Sequence, residues 1–136
     1  MNFKISKIQH VGIPVTDLKT SVAFYSKLGF TEAMRAQFDH NDEKGNVVMM
    51  QSGDVIMELY EFPAKDLEEI RSRSHGHIDH IAFDVEDVDA VFQELQTAGY
   101  EIQEDAPVFL NFWNKGCKYF NIAGPDGERL EFNQIL

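Results

Sequence analysis

The sequence predicts an α+β fold built from two tandem βαβββ modules, and three observations predict it. The segment IQHVGIPVTDLKTSVAFYSKLGF (8–30) returns as IDHIAFDVEDVDAVFQELQTAGY (78–100), at a constant offset of 70 with no gap. Such self-similarity marks a duplicated structural unit. Each copy opens with strand-like alternation and passes into helical spacing. Each half also closes on a strand-like segment, VIMELYEF (55–62) and RLEFNQIL (129–136).

The elements follow in order. Ile8 to Val15 and Ile78 to Val85 alternate as strands. Asp17 and Asp87 suit a helix N-cap, where a carboxylate accepts backbone N–H groups that have no partner within the helix. Leu18, Val22 and Tyr25 follow at helical spacing, as do Val88, Val91, Phe92, Leu95 and Ala98. Gly29 and Gly99 stand where a left-handed residue ends a helix. An aromatic, Phe30 or Tyr100, is expected to open the next strand. Val47 to Gln51 is a strand before the Ser52-Gly53-Asp54 turn, and Lys118 to Ile122 one before Gly124-Pro125-Asp126-Gly127. Residues 5–62 form the first module and 77–136 the second. The polar stretch 63–76, with a helical run from Ala64 to Arg71, links them within one domain.

Strand side chains alternate between faces. Val11, Ile13 and Val15 share one face, and His10 lies on the other. Ile81, Phe83 and Val85 repeat the pattern opposite His80. Glu58 opposes Val55, Met57 and Leu59, and Glu131 opposes Leu130 and Phe132. A carboxylate in an otherwise apolar strand is costly without a partner, and Arg129 is the nearest cationic candidate. A lone strand histidine is more often structural. Here, however, one His and one Glu recur at equivalent places in each half. Folding the halves about a pseudo-twofold axis would gather all four, and a shared metal ion would offset the burial of the acids.

Composition narrows the function class. The formal net charge of −11 disfavours nucleic acid and anionic membranes as partners, and no basic run offsets it. No apolar run is long enough to cross a bilayer. MNFKISKIQH lacks the features of a signal peptide, and the single Cys117 cannot form an internal disulfide. A cytoplasmic location is the expectation. Cys117 reads as a buried inert thiol, and His75 and His77 as polar linker residues rather than a second metal cluster. Phe109, Phe112 and Trp113 could line a pocket or pack in the core.

Taken in order, IQHVGIPVTDLKTSVAFYSKLGF, VIMELYEF, HIDHIAFDVEDVDAVF and GPDGERLEFNQ resemble the glyoxalase, bleomycin-resistance and extradiol-dioxygenase superfamily, also called the vicinal oxygen chelate superfamily. The resemblance runs through nearly the whole chain. It implies an open, cupped mixed sheet with the helices outside and one divalent ion at His10, Glu58, His80 and Glu131. The His-Glu-His-Glu set looks most like bacterial glyoxalase I, a lactoylglutathione lyase, for which Ni²⁺ or Co²⁺ is favoured and Zn²⁺ is possible.

That likeness implies a lyase or isomerase acting on a small molecule. It would remove a proton beside a carbonyl, with Glu131 as base, Glu58 as its symmetric partner, and the ion stabilising the enediolate charge. Methylmalonyl-CoA epimerases are similar but usually carry Gln where this chain has Glu58. Extradiol dioxygenases would leave Glu58 superfluous, bleomycin-binding relatives lack the quartet, and fosfomycin-resistance enzymes use three ligands. An epimerase-like racemase and a non-catalytic metal- or small-molecule-binding protein stay open as alternatives. Relatives of this kind generally dimerise, so a homodimer is expected.

Overall fold

A computed structural model describes residues 1–73, 78–123 and 129–136. Two compact units emerge, residues 10–79 and residues 1–9 with 80–136. His75, His77 and the turn at 124–127 lie outside the described residues.

In the unit of residues 10–79, β1 (Ile8–Pro14, entering at His10), α1 (Leu18–Lys27), β2 (Thr31–His40), β3 (Glu43–Ser52) and β4 (Val55–Glu61) form a βαβββ module. Its strand order is β2-β3-β4-β1. β1 runs parallel to β4, and the other pairs are antiparallel. A 3-10 turn (Ala64–Asp66) and α2 (Leu67–Ser72) follow. The second unit holds β5 (His80–Asp84), α3 (Val88–Thr97), β6 (Val108–Leu110), β7 (Cys117–Ala123) and β8 (Arg129–Ile135), ordered β5-β8-β7-β6. There β5 runs parallel to β8. The chain is thus α+β, with the βαβββ order repeated.

The helix ends obey the sequence signals. Asp17 Oδ1 accepts from Thr20 N at 2.8 Å, and Asp87 Oδ1 from Ala90 N at 3.0 Å. Gly29 and Gly99 take φ of 93° and 82°. Phe30 N reaches back to Tyr25 O, and Tyr100 N to Leu95 O, both at 3.1 Å. This is the six-to-one bond that closes a helix through a left-handed glycine.

Each helix packs on one face of its own module's sheet. Leu18, Val48, Met50 and Leu59 are buried together, with Ile13, Val15, Val22 and Tyr25 against them. Val88, Val91, Phe92 and Leu95 meet Phe120, Ile122 and Phe132. Phe120 lies between Phe92, edge-on, and Phe132, stacked, with both centroids 5.2 Å away. The apolar strand faces are therefore spent on the helices, and the opposite faces carry the polar residues.

Two details depart from the sequence reading. Val47 to Gln51 is the middle of a longer strand, because Asn41 and Asp42 both adopt positive φ (49° and 64°) and close a two-residue hairpin. In the second module Tyr100 does not open a comparable strand. An isolated bridge, Ile102 to Ile122, is followed by a gap before the three-residue β6. Glu104 accounts for part of this gap. Its carboxylate accepts from Asn121 N at 2.6 Å and Asn121 Nδ2 at 2.7 Å, so a side chain takes the place of a ladder bond. Pro107 then withholds a backbone donor.

Candidate metal centre

The first His–Glu pair is a product of register. β1 and β4 lie side by side with Gly12 opposite Glu58. Met57 and Leu59 pack toward α1, so Glu58 projects from the other face. His10, two residues before Gly12, projects from that face too. Gly12 carries no side chain to separate them. His10 Nε2 lies 3.4 Å from Glu58 Oε2, with His10 fully buried and Glu58 12% exposed.

The second pair repeats this construction. Ala82 stands opposite Glu131 in the β5–β8 ladder, as Gly12 does opposite Glu58. Leu130 and Phe132 pack in the core, turning Glu131 to the other face. His80 Nε2 lies 3.5 Å from Glu131 Oε2, and both residues are buried. A single methyl group, that of Ala82, stands in the intervening position.

These pairs suit a divalent ion. Two donors each about 2.1 Å from one ion stand about 3.0 to 3.4 Å apart in octahedral or tetrahedral geometry. Imidazole nitrogen and carboxylate oxygen form a borderline donor set of the kind Ni²⁺, Co²⁺ and Zn²⁺ accept.

The surroundings of the two acids differ, and sequence reasoning missed the reason. Asn133 Nδ2 donates to Glu131 Oε1 at 2.7 Å, and Gln9 Nε2 donates to Asn133 Oδ1 at 2.8 Å. Gln9 and Asn133 are 2% and 3% exposed. The available signal was two amides set in apolar strands, one of them two residues beyond Glu131. Across the next ladder Asn121 faces Glu131, whereas Met49 faces Glu58. Beyond Glu58, Tyr60 and Phe62 make an edge-to-face pair at 5.1 Å, with Phe38 joining at 6.1 and 5.9 Å.

The remaining candidates are simpler. Arg129 is exposed, and Cys117 is buried. Phe109 is exposed and Phe112 buried, while Trp113 adopts a positive φ of 62°.

The family model described as "Glyoxalase/Bleomycin resistance protein/Dioxygenase superfamily" matches residues 7–132. The chain belongs to this superfamily. Among its relatives is the uncharacterized protein YaeR of Escherichia coli (strain K12). That protein is 30% identical over 129 residues, covering 93% of this chain and 95% of YaeR. In fold, the chain is similar to methylmalonyl-CoA epimerase from Mycobacterium tuberculosis. The TM-score is 0.78 at 17% identity, covering 100% of this chain and 92% of that one. It is also similar to a Streptomyces coelicolor methylmalonyl-CoA epimerase variant solved with 2-nitronate-propionyl-CoA. The TM-score there is 0.74 at 22% identity, covering 96% and 98% of the two chains. The superfamily includes enzymes, and no helix among the described residues is long and apolar enough to cross a membrane.

Proposed function

We propose that the protein is a divalent-metal-dependent enzyme that removes a proton from carbon beside a carbonyl, with His10, Glu58, His80 and Glu131 holding one ion. The observation that carries this reading is the repetition of a closely spaced His–Glu pair, at 3.4 Å and 3.5 Å, at equivalent positions of both modules. His10, Glu58 and His80 each offer a donor atom of the kind such an ion takes. When bound, the ion would supply a Lewis acid for the oxyanion that forms as the proton leaves.

The chain's own residues do the rest. His10 and His80 act as neutral ligands. Glu131 takes and returns the proton through Oε2, and Glu58 is its symmetric counterpart. The finer reading is a glyoxalase I-type lyase of the lactoylglutathione lyase kind, using Ni²⁺, Co²⁺ or Zn²⁺. A second reading is an epimerase acting on an acyl-CoA, favoured by the methylmalonyl-CoA epimerases among the structural neighbours. Both use the same proton abstraction.

Methylglyoxal turnover with several thiols, run beside α-proton exchange of an acyl-CoA in deuterium oxide, separates the two. Activity in the first assay alone supports the lyase, and exchange alone supports the epimerase. Activity in neither, with one ion bound per chain, would reject both and leave a binding protein.

We also propose a homodimer. β2 is a ten-residue outer strand of its module, and long unpaired edges are usually covered. Sedimentation showing only monomer at micromolar concentration would reject this.

A further inference from the structure

The chain Gln9–Asn133–Glu131–His80 is buried from end to end, and its hydrogen-bond sense is dictated from one end. An ionised Glu131 can only accept, so Asn133 must present Nδ2 to it. That leaves Asn133 Oδ1 for a donor, and Gln9 Nε2 supplies one at 2.8 Å. Asn133 itself cannot drift. Its carbonyl accepts from Val85 N at 3.0 Å, and its backbone is held between Asp84 and Tyr119 in the ladders. The result is a carboxylate with Oε1 occupied at 2.7 Å and Oε2 turned toward His80 at 3.5 Å.

The other module does not repeat the two amides. The 73-residue offset that relates Glu58 to Glu131 relates Tyr60 to Asn133, and the 70-residue offset relates Asp79 to Gln9. Neither Tyr60 nor Asp79 carries a side-chain amide. The duplication therefore supplied the His–Glu pair twice and the amide relay once.

We infer that Asn133, braced by Gln9, is a positioning residue that locks Glu131 so that Oε2 alone serves ion and substrate, giving the two symmetric acids unequal roles. This rests on the ion reading above and extends it to two residues outside the ligand set. Groups that orient metal ligands are worth on the order of 10- to 100-fold in metal affinity or activity when removed.

The test titrates Co²⁺ into metal-free wild type, Gln9→Met, Asn133→Leu and the double variant. Affinity, the visible Co²⁺ spectrum and thermal stability are read for each. Asn133→Leu is expected to bind Co²⁺ about 10- to 100-fold more weakly with an altered spectrum, and to melt lower because Glu131 Oε1 loses this donor and Gln9 Nε2 this acceptor. Gln9→Met should show a smaller loss of affinity. The double variant removes both buried amides together, so Gln9 is no longer left facing a leucine, while Glu131 Oε1 still lacks the donor it has in wild type. Its melting temperature should rise above that of Asn133→Leu while the affinity stays low.

A double variant that recovers affinity along with stability would reduce the relay to scaffolding and overturn the inference. So would an Asn133→Leu protein with wild-type affinity and spectrum. A wild type that takes up no Co²⁺ would instead overturn the ion reading itself.

Discussion

The two modules carry the same His–Glu pair in different settings. In residues 10–79 the acid stands beside Met49, and Tyr60, Phe62 and Phe38 lie further along. In the second unit Asn133 and Asn121 flank the acid, with Glu104 tying Asn121 down. The ladder relation is unchanged, Gly12 opposite Glu58 and Ala82 opposite Glu131. Duplication thus preserved the backbone relation that sets the pair, while neighbouring side chains diverged. Around Glu131 the donated hydrogen bond of Asn133 orients the carboxylate.

The largest expected effect tests what the halves share. His10→Ala and His80→Ala should each abolish stoichiometric metal binding, measured by elemental analysis after dialysis against excess metal. If one variant keeps a full ion, that half is not a partner in the site.

The next effect tests where they differ. Glu131→Gln should lower turnover by on the order of a hundredfold or more, the usual worth of a positioned base. Metal content should fall only moderately. Glu58→Gln should be milder. Turnover of both at saturating metal decides the point. A dead Glu58→Gln beside a fully active Glu131→Gln would reverse the assignment.

Smaller effects compare the helix ends. Gly29→Ala and Gly99→Ala both force a side chain into the left-handed region, and each should cost about 1 kcal/mol in urea denaturation. A neutral result at either would mean that the closing turn relaxes there. The smallest concerns Asp17, whose carboxyl is held below its ordinary value of 3.8 chiefly by the Thr20 N–H. A depressed folded value means that its stabilisation is present above pH 3.8. It fades as pH falls through the lower folded value. Wild type should lose this increment in acid while Asp17→Asn does not, so their urea midpoints should converge there. Midpoints that stay parallel to low pH would remove the charge from the capping account.

Much of this was legible in one dimension because it depends on periods and local chemistry. Alternation put His10 opposite Val11 and Ile13, and helix-ending signals put Gly29 and Gly99 where φ turns positive. The internal repeat ties Glu58 to Glu131 in the sequence alone. Other features required the tertiary structure. Gln9 and Asn133 are 124 residues apart, and nothing local announces that they meet. Tyr100 looked like the start of a strand, but the nearby carboxylate of Glu104 holds the backbone of Asn121, 17 residues further along the chain. Spacing along a chain determines which face a side chain takes. Which other strand's side chains share that face is set by ladder register over long loops, and so is decided only when the sheet assembles.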